Sequence, residues 1–328
     1  MIRRALLTFL TASVLSGCGT GMPGMSQPFE MPQFTLAAGW TAEPAATLDS
    51  PRVSCLLARK TGGFVLAYDT QKLGGKDVFV TISPDGKTWS APVVVGQTRR
   101  TEESPALWED AQGKIHLIYT SNDSGSFQLY ASASRDGKSW ESPSALTDEI
   151  DHAKAPAVTR TPSGGVAIAY QTLGGSVEVM QSSDGEVWGL SRRIETSGGD
   201  PAICHDGEGL RVVFHRNEKL YERIERKGAW SEAVQVPGST AMREPAIAAI
   251  AGKVTLAYST LSSNGSWKLV VRETGPSGWG QEQDLVQGPD DHGFPSLAVG
   301  TEGGSWLAWG ISRLTEERGI FVARSGGR

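Results

Sequence analysis

The sequence is poor in cysteine, in long apolar runs and in clustered charge of one sign. Three cysteines among 328 residues are too few for a disulfide scaffold, and a chain of this length can bury a sizeable core without cross-links. The one long apolar stretch lies at the N-terminus and is too short for a mature transmembrane helix. The 31 basic and 36 acidic residues give a net charge of −5 and form no basic block. The sequence therefore predicts no nucleic-acid partner.

Motifs of common enzyme chemistries are absent as well. The chain contains no HExxH zinc motif, no GxSxG nucleophile elbow and no phosphate-binding P-loop. Gly19, Gly21 and Gly24 have the spacing of a dinucleotide-binding fingerprint, but no strand precedes them and Pro23 interrupts the segment. We therefore predict neither a metal ion nor a cofactor for this chain.

Glycine, proline and tryptophan are abundant instead, with 40, 17 and 10 residues. Short apolar segments between glycine-rich turns are typical of a chain of many strands, and they argue against a helical bundle. The body of the chain repeats one unit six times. Each unit begins with a short strand A, usually Pro-Ala followed by an apolar residue, and continues with a longer strand B. The six copies of strand B follow glycines at positions 63, 113, 165, 209, 252 and 304.

A turn that contains aspartate, glycine and tryptophan leads from strand C to strand D, and two degenerate copies, at 227–230 and 277–279, keep only the glycine and the tryptophan. Three copies are well preserved, at 83–89, 134–140 and 182–188, each with Ser, Asp, Gly and Trp. The aspartate can accept backbone N–H groups of its own turn, the glycine permits positive φ, and the tryptophan can pack between sheets. We therefore expect these aspartates to stabilise the fold.

Six four-stranded sheets in radial order form a β-propeller. The last unit ends at its strand C, Gly319–Arg324, with no strand D after it. Trp40-Thr-Ala-Glu-Pro44 matches the segments that follow the other turn tryptophans. We therefore predict an all-β, six-bladed propeller over residues 35–328, a single domain closed by an N-terminal strand.

The N-terminus has the features of a secretory signal. Arg3 and Arg4 precede an apolar region, and Leu15-Ser16-Gly17-Cys18 resembles the bacterial lipobox, in which cleavage falls before a cysteine that is then acylated. We expect a signal peptide at 1–17 and a lipidated Cys18 with a flexible tether at 18–34. The expected location is the bacterial cell envelope, on the periplasmic or the surface face, with the lipid as a membrane anchor. Cys55 and Cys204 are expected to be buried free thiols on opposite sides of the ring.

The Asp/Gly/Trp turn resembles the Asp-box of sialidases and neuraminidases, although each copy here is one residue shorter. This box also occurs in non-catalytic propellers, so it indicates a scaffold more than a reaction. Arg52-Val-Ser-Cys-Leu resembles the Arg-Ile-Pro-Ala-Leu segment of that family. The resemblance implies that Arg52, Arg216 and Arg243 bind a substrate carboxylate, because converging guanidinium groups select acidic sugars.

The resemblance also assigns catalytic candidates. Asp69 is expected to be the general acid, with Asp77 a weaker candidate, and Asp200 stands near the family's catalytic glutamate. Glu244 is a third candidate carboxylate. The family's tyrosine nucleophile has no counterpart, since Phe294 occupies its position at the start of the sixth unit.

Other charged or aromatic residues are predicted on the same rim. Asp151-His152 and Asp291-His292 could act as acid/base pairs or bind a metal, although such dipeptides are common by chance. The further rim candidates are Arg100, Glu103, Asp151, His152, Lys154, Asp291, His292 and Phe294.

Three functions remain open at this point. The chain could be an exo-acting glycoside hydrolase of the sialidase type that acts on an acidic glycan. It could instead be a non-catalytic propeller that binds a glycan or another small acidic ligand. The third alternative is a scaffold for a protein partner in the envelope.

Overall fold

A computed structural model describes residues 31–46, 51–70, 75–96, 98–238, 241–250, 252–313 and 316–325. The expected signal peptide, Cys18 and the tether as far as residue 30 lie outside these ranges. All regular structure in the described residues is β-strand, so none of them forms a helix that could cross a bilayer.

The strands are grouped into six antiparallel sheets. In chain order they are β1 (Thr35–Leu36), β2 (Trp40–Ala46), β3 (Pro51–Ala58), β4 (Phe64–Thr70), β5 (Asp77–Ser83), β6 (Val93–Val95), β7 (Glu102–Glu109), β8 (Ile115–Ser121), β9 (Gln128–Ser134), β10 (Ser144–Ala145), β11 (Lys154–Arg160), β12 (Val166–Gln171), β13 (Val177–Ser182), β14 (Arg192–Glu195), β15 (Gly199–His205), β16 (Leu210–Arg216), β17 (Lys219–Arg226), β18 (Ala229–Trp230), β19 (Val234–Gln235), β20 (Met242–Ile250), β21 (Lys253–Leu261), β22 (Trp267–Gly275), β23 (Gly278–Trp279), β24 (Gln283–Gln287), β25 (Asp291–Val299), β26 (Ser305–Arg313) and β27 (Glu316–Ser325).

Each sheet is one blade, and its strands follow one another outwards in chain order, apart from the N-terminal strands β1 and β2. Blades 1 to 5 begin at β3, β7, β11, β15 and β20, and blade 6 begins at β25. These six strands A contact one another around the ring, and β25 contacts β3 to complete it. The predicted all-β, six-bladed propeller is therefore confirmed.

The N-terminal strand β2 completes blade 6, as the sequence predicted. It pairs antiparallel with β27, from Trp40 opposite Ser325 to Ala46 opposite Ile320. The preceding strand β1 makes an addition that the sequence did not indicate, because it pairs with β24 at the outer edge of blade 5. The N-terminal segment thus joins two neighbouring blades.

Apolar side chains fill the space between every two adjacent blades. The aromatic residues near the ends of the strands B are at most 4% exposed. They are Tyr68, Tyr119, Tyr170, Phe214, Tyr258 and Trp309. A partly buried tryptophan packs against the apolar cluster at each interface: Trp89, Trp140, Trp188, Trp230, Trp279 and Trp40. The repeat therefore encodes one interface six times.

The Asp/Gly/Trp turns have the predicted structural role. Asp136 Oδ1 accepts the backbone N–H groups of Lys138 and Ser139, each at 2.8 Å. These hydrogen bonds stabilise the carboxylate and lower the pKa of Asp136 to about 2. Gly137 takes a φ of 74°, which a residue with a Cβ adopts only under strain.

The two described cysteines are free thiols, as predicted. Cys55 lies on β3 and Cys204 on β15, on opposite blades of the ring. Cys55 Sγ accepts the Leu107 N–H at 3.3 Å and so connects blade 1 to blade 2. Burial raises the pKa of Cys55 to about 11 and that of Cys204 to about 12, so neither is a reactive thiolate at neutral pH.

Candidate ligand site at the upper mouth of the axis

The strands A all begin on one face of the ring, here called the upper face, and the Asp/Gly/Trp turns lie on the opposite, lower face. A cavity of about 250 Å³ opens on the axis at the upper face. All six strands A line it. Its polar and aromatic lining includes Ser54, Ser104, Asp200, Glu244 and Phe294.

The backbone has the same irregularity where each strand A enters this cavity. The register with strand B shifts just before each Pro-Ala position, which marks a β-bulge. In five blades the residue before the proline takes a positive φ between 46° and 56°. These residues are Ser104, Ala155, Asp200, Glu244 and Phe294. Such a conformation costs roughly 1–2 kcal/mol per non-glycine residue, so neighbouring groups must hold it.

Side chains of the preceding blade hold three of these bulges. The Ser104 N–H donates to Asp69 Oδ2 at 3.0 Å, and the Ala155 N–H donates to Thr120 Oγ1 at 3.1 Å. The Asp200 N–H donates to Gln171 Oε1 at 3.3 Å. Asp69, Thr120 and Gln171 occupy equivalent positions, one residue after the buried aromatic residue of strand B.

This arrangement defines the surroundings of the candidate general acid. The Asp69 side chain is only 1% exposed, and its carboxylate stabilises the blade 2 bulge. The weaker candidate, Asp77, is 2% exposed, and burial raises its pKa. Neither residue lines the upper cavity, and a catalytic role for Asp69 stays a prediction.

Glu244 lines the cavity and has several partners. Its Oε2 accepts the Ser259 hydroxyl at 2.8 Å and the Phe294 N–H at 2.9 Å, while its Oε1 is 3.2 Å from Arg243 Nε. A Cβ on Gly293 would lie 2.7 Å from Oε2, so glycine at that position makes room for the carboxylate. Glu244 therefore stabilises the bulge of blade 6.

Asp200 and Glu244 are the two carboxyl groups in the cavity lining, and Asp200 accepts fewer hydrogen bonds than Glu244. Its side chain is exposed to the cavity. Burial by the surrounding walls raises the pKa of Asp200, while His215 and Arg52 act in the opposite direction. Arg52 belongs to blade 1 and Asp200 to blade 4, so opposite sides of the mouth influence each other electrostatically.

Arg52 and Phe294 meet at the junction of blades 1 and 6. The guanidinium carbon of Arg52 lies 4.7 Å from the centroid of the Phe294 ring, a cation–π distance. Phe294 lines the cavity, and no tyrosine belongs to the described lining. Phe294, which the sequence resemblance assigns to the position of the sialidase nucleophile, is therefore an apolar support for a cation in this chain.

The other two arginines contact residues of their own neighbourhoods. Arg216 stacks on Tyr221 at 3.8 Å from the ring centroid, and its Nη1 lies 3.6 Å from Glu195 Oε2. Arg243 stacks on Trp267 at 3.5 Å and pairs with Glu244. None of the three arginines is part of the cavity lining, and Arg52 borders it through its contact with Phe294.

The remaining rim candidates have local contacts. Glu103 pairs with Lys76, and Lys154 Nζ lies 3.4 Å from the centroid of the Phe127 ring. Arg100 is exposed. Asp151 and His152 are partly buried, and burial followed by repulsion from Asp148 raises the pKa of Asp151.

Asp291 and His292 do not form an exposed pair. Asp291 Oδ1 accepts the Trp267 N–H at 2.8 Å. His292 has no exposed surface and lies in the core, where its Nδ1 accepts the Trp309 indole N–H at 3.2 Å and Phe34 packs against its ring. Burial lowers the pKa of His292 to about 4.

The described residues hold no group of three or more His, Cys, Asp or Glu side chains placed to bind a metal.

Comparison with known proteins places this geometry in a family. The model of the BNR repeat-like domain matches residues 63–305, which is most of the chain. The chain belongs to the BNR repeat-like family. No curated protein sequence matches it.

Solved structures of several sialidases share the fold of this BNR repeat-like chain. The NanB sialidase of Streptococcus pneumoniae, in complex with 2-[(3-chlorobenzyl)ammonio]ethanesulfonate, has a TM-score of 0.69 at 12% identity, over 90% of this chain and 70% of the sialidase. The intramolecular trans-sialidase of Ruminococcus gnavus, in complex with oseltamivir carboxylate, has a TM-score of 0.64 at 12% identity, over 86% and 96%. A protein of unknown function from Dyadobacter fermentans has a TM-score of 0.71 at 13% identity, over 88% and 99%. The chain is therefore a sialidase-like propeller.

Sequence reasoning missed several residues that shape the mouth of this BNR repeat-like propeller. Thr120, Gln171 and Ser259 contact the bulges or Glu244, and His215 lies near Asp200. A signal for them was present, because each follows the buried aromatic residue of strand B by one position. In blades 1 to 3 that position contacts the next blade, whereas His215 and Ser259 face residues of their own blades.

Proposed function

We propose that the upper cavity binds one acidic sugar residue of a glycan and that the chain does not hydrolyse it by a phenol nucleophile. The observation that carries this proposal is the pair of Arg52 and Phe294 at the cavity mouth. A cation supported by an aromatic ring can hold a carboxylate, whereas a phenylalanine ring cannot attack an anomeric carbon.

The size of the cavity and the ligands of structural neighbours support an anionic sugar. A cavity of about 250 Å³ lies just below the usual range of about 300–1,000 Å³ for small-molecule sites, which suits one sugar residue better than an oligosaccharide. Two neighbours with this fold are sialidases whose ligands carry a sulfonate or a carboxylate. Arg52 supplies the complementary charge here.

Hydrolysis by carboxylates alone is the second candidate. Asp200 faces the cavity with a raised pKa, which suits a general acid, and Glu244 lines the same cavity. This alternative predicts turnover that depends on Asp200. The binding proposal predicts none.

Titration of the purified full chain with sialic acid, beside galactose, tests the proposal by calorimetry. Saturable binding of sialic acid, lost in Arg52→Ala and retained in Arg135→Ala, supports it. Arg135 is exposed on the lower face and is the matched control. Cleavage of a fluorogenic α-sialoside that Asp200→Asn abolishes would establish the hydrolase instead, and binding of neither sugar would point to a protein partner.

We also propose that the chain is an envelope lipoprotein anchored through Cys18. The support is the lipobox-like segment Leu15-Ser16-Gly17-Cys18 behind a basic N-terminus, since several acyl chains on one residue give stable anchoring. Replacement of Cys18 by alanine should move the protein from the detergent phase to the aqueous phase in a phase-partition experiment. A wild-type protein found in the aqueous phase would contradict the anchor.

A further inference from the structure

The axis has a second cavity at its lower mouth, on the face opposite to the proposed glycan site. Its volume is about 320 Å³, and the last residues of the strands A line it. An apolar ring borders both cavities and separates the two mouths. Its residues are Leu107, Val158, Ile203, Ile247 and Leu297.

The carboxylate in this lower lining is already neutralised. Glu109 is 2% exposed, and its oxygens accept Arg59 Nε at 3.2 Å and the Lys60 N–H at 2.7 Å. The ion pair with Arg59 balances its charge. Glu109 is therefore not available as a counterion for Lys60 and Arg160, the other charged side chains of the lower lining.

Arg160 is the most informative of these side chains. It ends β11 and lines the lower cavity. Its Nε is shielded from solvent and donates to no acceptor, and within the described ranges its guanidinium has no acidic partner. A shielded donor without an acceptor is unfavourable, so a ligand oxygen at this position would stabilise the group.

Lys60 and His205 add two more donors at the same mouth. Lys60 Nζ donates only to the Asp110 carbonyl, at 3.2 Å, within the described part of the chain. His205 Nδ1 accepts the Gly207 N–H at 3.1 Å, which assigns the ring proton to Nε2 and leaves Nε2 as a donor. No described carboxylate pairs with either side chain.

We propose that the lower cavity binds a small organic anion whose phosphate or carboxylate head group is held by Lys60, Arg160 and His205. A guanidinium offers two parallel N–H donors to such a head group, and apolar walls strengthen the attraction because they exclude water. Trp108 and Ala248, which also line the cavity, would contact the apolar body of the ligand. This site is independent of the glycan site because the apolar ring lies between them.

Calorimetric titration of the full chain with phenyl phosphate and with benzoate tests the proposal, with phenol as the uncharged probe. We expect at least one anion to bind and phenol not to bind. Arg160→Gln should lower the affinity for the anion at least tenfold. Arg135→Gln, an exposed arginine on the same face, should leave the affinity unchanged.

Several outcomes would overturn the site. They are equal affinity for phenol, an absence of anion binding, or unchanged affinity in Arg160→Gln. Loss of binding in Arg52→Gln would place the anion at the upper mouth and overturn it as well. Circular dichroism melting checks whether Arg160→Gln is folded. If that variant is unfolded, the Lys60→Gln/His205→Gln double variant replaces it, and it should also weaken anion binding at least tenfold.

Discussion

The Phe294 ring supports the Arg52 guanidinium at 4.7 Å across the junction of blades 1 and 6. Phe294 is also a left-handed bulge residue, with a φ of 52°, and its N–H is held by Glu244. The position of the cation therefore depends on a backbone conformation that a third blade stabilises. Binding at the upper mouth should be sensitive to changes in all three blades.

Substitutions of Phe294 should show whether its ring holds the Arg52 guanidinium in a binding position. Phe294→Leu removes a cation–π contact worth about 0.5–2 kcal/mol, so affinity for an acidic sugar should fall several-fold. Phe294→Tyr keeps an aromatic ring beneath the guanidinium, so its affinity for the sugar should lie within about twofold of the wild-type affinity. Calorimetry checks both. Equal affinities of Phe294→Leu and the wild type would show that the ring does not position Arg52.

Gly293→Ala should disturb the same mouth through Glu244. The added Cβ would lie 2.7 Å from Glu244 Oε2, and overpacking of this kind costs about 1–3 kcal/mol. Urea denaturation should show that loss, together with weaker sugar binding. Gly304→Ala is the matched control in the same blade, because a Cβ added there would have no other atom within 4 Å. Equal stability of the two variants would contradict the close packing of Gly293 and Glu244.

Replacement by glycine should leave the stability intact at Ala155 of β11 and lower it at Ala157. Ala155 has a φ of 49°, so Ala155→Gly relieves roughly 1–2 kcal/mol of strain and offsets the entropic cost of about 0.5–1 kcal/mol. Its free energy of unfolding should equal or exceed that of the wild type. Ala157→Gly, two residues along the same strand, has no such compensation and should lose about 1 kcal/mol. The reverse order in urea denaturation would rule out strain at the bulge.

The Asp136 turn should make stability depend on pH in the acid range. The folded pKa of about 2 is below the unfolded value of about 3.9, so the carboxylate stabilises the fold above about pH 4 and loses this effect as the pH falls through 2. The wild type should melt above Asp136→Asn at pH 6, and the gap should narrow towards pH 2. Asp123→Asn, which changes an exposed aspartate, is the control, and a gap independent of pH would contradict the prediction.

The repeat pattern predicted the fold well because it is local and occurs six times. Pro-Ala strands, glycine-led strands and turn tryptophans each specify a part of one blade, and the Trp40–Pro44 match identified the closing strand. Strand β1 has two residues, too few for a pattern, and its pairing with β24 could not be inferred.

The site was less predictable because its contacts cross between blades. Glu195 attracts Arg216 from the last strand of blade 3, and Phe34 of the N-terminal segment packs against the buried His292. Neither contact has a signature within one repeat. The left-handed residues before the prolines were hidden for another reason, since Ser, Ala, Asp, Glu and Phe share no preference for that conformation.

The closure of blade 6 sets the order in which the molecule can be completed during synthesis. Strand β2 leaves the ribosome before any strand A, yet its partner β27 ends at Ser325. Until then β2 is an open edge, able to pair with other chains, and blade 6 lacks its outer strand. A translation product that stops before β27 can complete its early blades but has no means to lock the ring. Closure of the ring therefore has to wait for the synthesis of β27, although β2 is made first.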